Sequence, residues 1–499
     1  MLLRKVFSFF VFAVILLFLA SASVIGASRK KIWPGIGVNS PGLLNMYLGV
    51  AMPNATPKLL EAMAFKSMVD AHNNGISYFR VSVSGFGNSE LEVWQKYPNF
   101  FWSRFDQMMN DLSKNGVKII PVLTWWDIQF PEYAGEGIHA LLTDPNSRSR
   151  YFFLRYIGGV VNRYKNHPAV LFWELSNEWN IDADLDLDTR SGRKGDNFTT
   201  DELLNFIAEY VKYIHELDRG HLISNGFSMQ RGSAEHLRRQ PEWTLDGPDW
   251  TSDSNEEYIK HLTDISRDVD IMSIHFYNFC NNADCTQRDN ERFGVVGADN
   301  PGFLDEMAKF AYNNGKILFI GEMSDYLVED NSSATPFTEA ALERIGQLKI
   351  PFTALWAWEA YSSPTKPNLS SNIEPGFSDK LISKIREVNQ LFFNKPAPEP
   401  KVPDLTPPIV IITSPLEGAN INFYGLEIYA LASDNDRIEK VEFWIENTFL
   451  GEVRKAPYSI KLPGGTYPVV GRTLKLKAKA FDPSGNSSES VVNVSGFTL

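Results

Sequence analysis

Eight short apolar runs alternate with helical patterns between residues 35 and 392. Each run is mainly apolar along its length, which is typical of parallel strands that are buried on both faces. The runs span residues 35–38, 77–83, 117–124, 169–176, 221–226, 270–277, 317–322 and 352–358. The pattern therefore predicts a parallel sheet whose eight strands are separated by helices.

The segments between the runs carry helix signals. One apolar stripe recurs at helical spacing and consists of Leu203, Leu204, Ile207, Val211 and Ile214. Asn-Gly pairs at 74–75, 115–116 and 314–315 each end a helical stretch just before a strand, since glycine accepts the left-handed conformation of a helix stop.

Eight strand–helix repeats over roughly 360 residues predict a (β/α)8 TIM barrel with long loops. The alternative is an open, doubly wound sheet. That fold carries a glycine-rich phosphate turn after its first strand, and no such turn follows the first run here.

The pattern changes after residue 393. Six prolines fall within 394–408, which predicts an extended and fairly stiff linker. Short alternating segments divided by Gly, Pro, Asn and Asp follow at 409–413, 426–432, 440–445, 458–461, 474–480 and 491–494. Residues 409–499 are therefore predicted to form a small β-sandwich, separate from the barrel at 30–393.

The N-terminus reads as an export signal. Arg4 and Lys5 precede an apolar stretch at 6–20, and Ala20-Ser-Ala22 offers a small-residue cleavage site. The apolar stretch is short for a membrane span. We predict a signal peptide at 1–27 and a secreted, extracellular protein, with an uncleaved membrane anchor as the alternative.

Composition narrows the class of ligand. The formal net charge is −12, which disfavours a nucleic-acid partner. The chain contains 12 Trp, 18 Tyr and 34 Phe residues, a richness in aromatic rings that suits a neutral ligand such as sugar.

Cys280 and Cys285 are the only cysteines, and in an exported chain they are a candidate disulfide. Two free thiols are the alternative.

The sequence motifs that would indicate a metal or cofactor site are either incomplete or missing. Asp182, Asp184, Asp186 and Asp188 resemble a calcium loop, but the turn glycine and the closing glutamate of an EF-hand are missing. A solvated acidic loop is the favoured interpretation, with calcium as the alternative. No His-Glu-x-x-His, serine elbow or phosphate loop occurs. We expect no metal and no cofactor.

Two glutamates close two of the apolar runs. Glu178 ends the fourth run and Glu322 ends the seventh, although an ionised glutamate is almost never buried without a partner. Active sites of (β/α)8 barrels lie at the carboxyl ends of the strands. We therefore predict a facing pair, and two carboxyls about 5–5.5 Å apart are the mark of a retaining glycosidase. The alternative is that one glutamate caps a helix or pairs with a lysine.

Other side chains at strand ends would complete such a site. They are Arg80, Trp125, Trp126, Asn177, His275, Tyr277, Trp356 and Trp358. Arg80 and Tyr277 could keep Glu322 ionised by charge and by hydrogen bonding. The tryptophans could stack on sugar or belong to the core. Glu174 lies on the same face as Glu178 but deeper, and we interpret it as a structural carboxylate paired with Arg80. Glu359 is interpreted as a loop charge.

The segment His167-Pro-Ala-Val-Leu-Phe-Trp-Glu-Leu-Ser-Asn-Glu178 resembles the acid/base strand of glycoside hydrolase family 5, and its Trp-Glu-Leu-x-Asn-Glu form is closest to endo-β-1,4-mannanases. The segment 119–126, with Tyr133 and Gly135 after it, resembles the mannanase third strand, and Gly321-Glu322 resembles the nucleophile strand. Arg80 and the His275-x-Tyr277 pair also match. The resemblance covers roughly residues 30–392.

This resemblance implies that Glu178 is the acid/base and Glu322 the nucleophile. Asn177 would bind the sugar 2-hydroxyl, and a tryptophan of the eighth strand would form the floor of the −1 subsite. The chain departs from the family pattern in three places: Met-Ser-Asp follows Glu322, Trp179-Asn180 follows Glu178, and a tryptophan replaces the usual histidine at the end of the third strand.

The C-terminal segment resembles bacterial immunoglobulin-like modules, because Asp482-Pro-Ser-Gly-Asn486 matches their last hairpin.

Taken together, the glutamate pair, the export signal and the family resemblance predict a secreted retaining hydrolase of β-1,4-linked mannan, glucomannan or cellulose-type glucan. A catalytically silent carbohydrate-binding barrel and a transglycosylase remain as alternatives.

Overall fold

The computed structural model describes residues 34–51, 55–85, 88–278, 303–325, 336–358, 361–363, 366–367, 373, 378–393, 406–421, 426–434, 437–462 and 472–496. The predicted signal peptide, most of the predicted linker, Cys280, Cys285 and Glu359 lie outside these residues and stay predictions. Within the described part, no helix combines the length and hydrophobicity that a membrane span requires.

Eight parallel strands close into a barrel in which each strand pairs with the next and β1 pairs with β8. The strands are β1 Gly35–Asn39, β2 Tyr78–Ser82, β3 Lys118–Val122, β4 Trp173–Glu174, β5 Ile223–Ser224, β6 Ile271–Asn278, β7 Ile317–Asp325 and β8 Phe352–Leu355. The predicted (β/α)8 barrel is therefore confirmed.

β4 and β5 are shorter than the sequence pattern predicts. Beyond these short strands, the N–H groups of Leu175 and Ser176 still donate to the carbonyls of Ser224 and Asn225. Gly226 has a left-handed φ of 74°, and a Cβ there would lie 1.7 Å from the carbonyl oxygen of Ser176. The close approach of these two backbone segments thus requires glycine at position 226 and ends both strands early.

Helices follow or precede the strands around the barrel. They are Leu43–Leu48, Pro57–Asn73, Asn88–Lys96, Pro98–Lys114, Gln129–Ala134, Ile138–Thr143, Arg148–Tyr164, Leu187–Ser191, Thr200–Leu217, Ala234–Arg239, Asn255–Ser266, Phe303–Asn313, Pro336–Leu348 and Asp379–Phe393. Thr200–Leu217 begins with a capping box in which Thr199 and Glu202 satisfy each other's backbone N–H groups. The predicted apolar stripe of this helix is buried.

The barrel interior is filled in two layers. The amino-terminal layer is apolar, and the rings of Phe172, Phe319 and Phe352 meet there with centroids 5.0–6.4 Å apart. Side chains alternate along a strand, so the residue two positions after Phe172 points into the same interior. That residue is Glu174, and its layer is charged. The fold therefore stacks a polar layer directly on an apolar one.

The C-terminal residues form a two-sheet sandwich. One sheet has the order β11-β13-β16 and the other β12-β18-β17-β14-β15. The strands are β11 Ile409–Ser414, β12 Asn420–Ile421, β13 Glu427–Ser433, β14 Lys440–Ile445, β15 Thr448–Val453, β16 Tyr458–Lys461, β17 Thr473–Phe481 and β18 Ser487–Gly496, after the short pair β9 Tyr361–Ser363 and β10 Lys366–Pro367. All six predicted strands are present. β12 and β15 were not predicted, because β12 has only two residues and β15 is a partly exposed edge strand without a clear alternation.

The outer face of the three-stranded sheet packs against the barrel. Ile411 and Leu431 are cross-strand neighbours, and both contact the main hydrophobic cluster of the barrel. Lys66 and Asp70, on helix Pro57–Asn73, form a 2.5 Å ion pair and are only 4% and 1% exposed. The same helix lies against β11. The sandwich is thus docked on the barrel.

We expect Leu431→Glu to lower the melting temperature of the chain by roughly 5 °C, because it places a charge in this apolar contact. Differential scanning calorimetry measures the effect. Val491→Glu is the matched control, since Val491 lies in the same domain and is 41% exposed. Equal melting temperatures for the two variants would contradict a docked sandwich.

Candidate active site

Glu178 lies at the mouth of the barrel, in the turn after β4. Its backbone is left-handed, with φ at 59°, and its N–H donates to the carbonyl of Gly226. The 3-10 turn Trp179–Ile181 follows at once. Such a conformation is uncommon for a residue with a side chain and is found at functional sites. The side chain is 28% exposed, so water can reach it.

Glu322 lies within β7 and is far less accessible, with a side chain that is 6% exposed. Its Oε1 accepts a hydrogen bond of 2.8 Å from Nη1 of Arg80, and its Oε2 accepts one of 2.5 Å from the hydroxyl of Tyr277. Both donors stabilise the ionised carboxylate. The two contacts that the sequence suggested for Glu322 are both present.

Arg80 is the centre of this polar layer and is fully buried. Its Nε donates to Glu174 at 2.5 Å, and its two terminal nitrogens donate to Asn39 at 2.9 Å, to Glu322 at 2.8 Å and to Asn177 at 2.7 Å. The expected pairing of Glu174 with Arg80 is therefore present. Because Arg80 donates to the carbonyl oxygen of Asn177, the side-chain amide is oriented and its NH2 group can donate to a ligand.

Asn39 is a member of the site that the sequence pattern did not single out. It accepts from Arg80 and donates from Nδ2 to the carbonyl of Gly321, 3.0 Å away. It thereby ties β1 to the residue before Glu322. The available signal was its position, a polar residue directly after the apolar run 35–38.

His275 lies between the two glutamates. Its Nδ1 is 2.7 Å from Oε1 of Glu178 and 3.6 Å from Oε2 of Glu322. Its Nε2 is buried and has no hydrogen-bond partner among the described residues. Because an ionised carboxylate oxygen can only accept, Nδ1 carries the proton of this hydrogen bond. His275 then donates to Glu178.

The two carboxyls differ in their surroundings although they lie close together. One carboxyl oxygen of Glu178, one of Glu322 and a ring nitrogen of His275 all lie within 4.8 Å of one another. Burial raises the pKa of Glu178, but the charge and the hydrogen bond of His275 outweigh it, so that its pKa lies below the ordinary range. A hydroxyl group of Ser228, also not predicted, contributes to this lowering.

The predicted tryptophans separate into two groups. Trp358 is 1% exposed and packs on Phe79 with ring centroids 6.1 Å apart, so it belongs to the core and cannot contact sugar. Trp125 is 2% exposed and lies under the guanidinium of Arg80, which makes it a supporting residue. Trp356, which is half-buried beside Trp125, and Trp126, which is 45% exposed, remain as possible sugar platforms.

The acidic loop is less solvated than the sequence suggested. Asp184 is buried and accepts from the N–H and hydroxyl of Thr200. Asp188 accepts from three consecutive backbone N–H groups at 195–197. Asp186 accepts from Thr189 at the start of helix Leu187–Ser191. These carboxylates therefore organise the loop itself, which weakens the calcium alternative.

Two groups among the described residues have a geometry that could hold a metal ion: the Glu178, His275 and Glu322 set, and the His236, Asp253 and Glu257 set. In the first, Arg80 and Tyr277 already occupy the oxygens of Glu322. In the second, Asp253 accepts from two backbone N–H groups, and Glu257 accepts from Ser254 and Arg239. Hydrogen bonds within the protein account for both groups. The absence of a metal stays a prediction.

A family model described as "Cellulase (glycosyl hydrolase family 5)" matches residues 56–362, a range that holds every site residue above except Asn39. A second model, described as "Bacterial Ig domain", matches residues 408–475.

Curated relatives are more distant. Mannan endo-1,4-beta-mannosidase F of Aspergillus fumigatus is 24% identical over 228 residues, which cover 44% of this chain and 45% of that protein. Probable mannan endo-1,4-beta-mannosidase C of Aspergillus terreus is 27% identical over 187 residues, covering 34% and 43%. The chain thus spans less than half the length of these relatives. The solved structure of the endo-beta-1,4-mannanase from Thermotoga petrophila aligns with 94% of this chain and 99% of its own, at 16% identity and a TM-score of 0.48.

Proposed function

The chain belongs to glycosyl hydrolase family 5, and from this premise we propose that it is a secreted enzyme that hydrolyses β-1,4-linked polysaccharide of the mannan type with retention of configuration. The observation that carries the proposal is the pair Glu178 and Glu322, which lie in unlike surroundings and approach so closely that one oxygen of each lies within 4.8 Å of the other. Inverting enzymes separate their carboxyls by about 6.5–9.5 Å to leave room for water, so this spacing favours retention.

In the first step Glu322 attacks the anomeric carbon while Glu178 gives its proton to the glycosidic oxygen. The bond between that carbon and the leaving oxygen breaks as the ester to Glu322 forms. Arg80 and Tyr277 each donate to one oxygen of Glu322 and so fix the carboxylate in place. Glu322 is assigned as the nucleophile because both of its oxygens are held, and Glu178 as the proton donor because it is open to the leaving group. The lowered pKa of Glu178 means that its protonated fraction, and with it the first step, falls as pH rises.

In the second step Glu178 acts as a base. It removes a proton from a water molecule, whose oxygen attacks the anomeric carbon and releases the carboxylate of Glu322. The exposure of Glu178 supports this role, since the water must arrive after the first product leaves. Asn177 offers its amide group to the sugar 2-hydroxyl, where a hydrogen bond strengthens in the transition state.

Mannan is the preferred substrate because the relatives described above are named as mannan endo-1,4-beta-mannosidases. The exposed ring of Trp126 and the half-buried ring of Trp356 supply flat apolar surfaces for sugar faces. Reducing-sugar release over mannan, glucomannan, cellulose, xylan and mixed-linkage glucan tests the proposal, with a Glu322→Ala blank. Release from mannan or glucomannan supports it. Release from cellulose or xylan alone would overturn the mannan assignment.

We expect His275→Ala to move the alkaline limb of the kcat/KM profile to higher pH. The histidine lowers the pKa of Glu178, and without it burial would hold the proton on Glu178 to higher pH. The rate at the optimum should also fall, because Glu178 loses its orienting donor. Initial rates on soluble mannan across pH measure both effects. An alkaline limb that stays in place or moves to lower pH would contradict this role.

A further inference from the structure

Asp127, in the turn between β3 and helix Gln129–Ala134, carries a buried carboxyl that the catalytic steps above do not use. The residue is 7% exposed, and its Oδ1 accepts from the N–H of Ile128 at 2.7 Å. Its Oδ2 is also buried, yet no donor among the described residues reaches it. A buried carboxylate oxygen without a donor is costly, so this atom requires an explanation.

The group that Asp127 faces is a second carboxyl, that of Asp182, and the two side chains are within hydrogen-bonding reach. Two carboxylates are both acceptors, so the contact needs a proton on one of them. The nearby guanidiniums are engaged elsewhere. Arg231 donates to the carbonyls of Ile181 and Ala183, and Arg190 donates to Glu242.

Asp182 belongs to the turn that presents Glu178. The N–H of Ile181 donates to the carbonyl of Glu178 at 3.0 Å, and the turn ends at Asp182. The indole N–H of Trp179 donates to the carbonyl of Trp125, two residues before Asp127, at 3.3 Å. The segment after β3 therefore contacts this turn at two points, through Trp179 and through Asp182.

We propose that Asp127 and Asp182 share one proton at neutral pH, and that Asp127 is thereby a positioning residue for Glu178. The inference rests on the proposed function, because it assigns a purpose to the turn that carries the acid/base. Asp127 donates the shared hydrogen bond, and Asp182 accepts it. Loss of the proton would place two negative charges together and push the turn away from the third strand.

The charges around the pair favour a proton over a metal ion. Burial and the charges of Asp182 and Asp196 raise the pKa of Asp127 to about 8. Burial also raises the pKa of Asp182, with Arg231 and Arg190 opposing and Glu178 adding to the rise. Two guanidiniums beside Asp182 would repel a divalent cation, whereas a single proton leaves the pair with one negative charge.

The first test measures melting temperature against pH for the wild type and Asp127→Asn. A carboxyl whose pKa is raised by folding contributes stability at low pH that is lost as pH rises through the folded-state pKa. The asparagine amide donates to Asp182 at every pH, because it has no proton that titrates in this range. We therefore expect the melting temperature of Asp127→Asn, relative to wild type, to increase from about pH 5 to about pH 9. A difference that does not change with pH would overturn the shared proton.

Calcium is the second arm of this test. Suppose that calcium chloride at about 5 mM raised the melting temperature of the wild type near pH 8 but not that of Asp127→Asn. The pair would then be a cation site, and the proposal would be wrong. Equal responses of the two proteins to calcium support the shared proton. Neither arm depends on catalysis, so both remain informative if no polysaccharide is hydrolysed.

The second test separates positioning from general damage. Asp127→Ala should lower kcat on mannan by about tenfold with little change in KM, and Asp127→Asn should retain most of the activity near neutral pH. An aryl β-manno-oligosaccharide with a nitrophenol leaving group needs little help from the acid in the first step. On that substrate, under conditions where glycosylation limits the rate, Asp127→Ala should approach wild type. An equal loss on both substrates would overturn the link to Glu178.

Discussion

Replacing Glu322 with alanine is expected to lower turnover on mannan by about 10⁴-fold or more, while the protein stays folded. The variant removes the carboxylate that we propose attacks the anomeric carbon. It also removes one acceptor of Arg80 and one of Tyr277, but Arg80 keeps its hydrogen bonds to Glu174, Asn39 and Asn177. Release of reducing sugar measures the loss, and circular dichroism checks the fold.

Azide rescue distinguishes the roles of the two glutamates. In Glu322→Ala, azide would enter the vacated space and attack from the nucleophile's side, giving an α-glycosyl azide from an activated β-glycoside. In Glu178→Ala, the ester to Glu322 still forms, and azide attacks the opposite face to give a β-glycosyl azide. Exchanged products would show that the roles of Glu178 and Glu322 are reversed.

Arg80→Ala is expected to damage both stability and catalysis. Arg80 is the partner of Glu174, which is fully buried and whose Oε1 has no donor among the residues that the structure describes. Breaking a buried ion pair by removing one partner costs about 3–5 kcal/mol in the free energy of unfolding. The variant also removes the positive charge beside Glu322, which should lower kcat/KM by about 10²–10³-fold. Chemical denaturation and initial rates measure the two effects.

A double variant separates these effects. Arg80→Ala with Glu174→Gln removes the unpaired buried charge, so it should regain part of the lost stability. It should not regain activity, because nothing replaces the contact of 2.8 Å with Glu322. Recovery of activity together with stability would mean that Arg80 acts on catalysis only through the fold.

The barrel could be predicted from the sequence because its signal is repeated. Eight buried parallel strands each need a mainly apolar run, and helix stops such as Asn74-Gly75 mark where the runs begin. The ends of β4 and β5 could not be predicted, since they depend on how closely Gly226 approaches Ser176, which is a contact between distant segments.

The site was predictable where a residue type conflicted with its surroundings. Glu174, Glu178 and Glu322 stand out as carboxylates on apolar strands, and alternation places Glu174 deeper than Glu178. Trp356 and Trp358 show the limit of this reasoning. They are two residues apart and chemically identical, yet one is half-buried at the site and the other is in the core. Only the packing after β8 separates them.

Partners that meet across the barrel were the least predictable. Asn39 and Ser228 have no distinctive spacing, and Asp127 looks like an ordinary polar residue after a strand. Each acquires its role from a neighbour far away in sequence: Arg80 for Asn39, Glu178 for Ser228 and Asp182 for Asp127. A single sequence contains no record of such pairs.

The measurement that tests the central claim most directly is the anomeric configuration of the first product. Proton nuclear magnetic resonance can follow wild-type protein acting on β-1,4-linked mannohexaose before mutarotation equilibrates the new reducing ends. A double displacement by Glu322 and Glu178 predicts that the β-anomer appears first and the α-anomer grows in later. Initial appearance of the α-anomer would contradict the retaining two-glutamate mechanism.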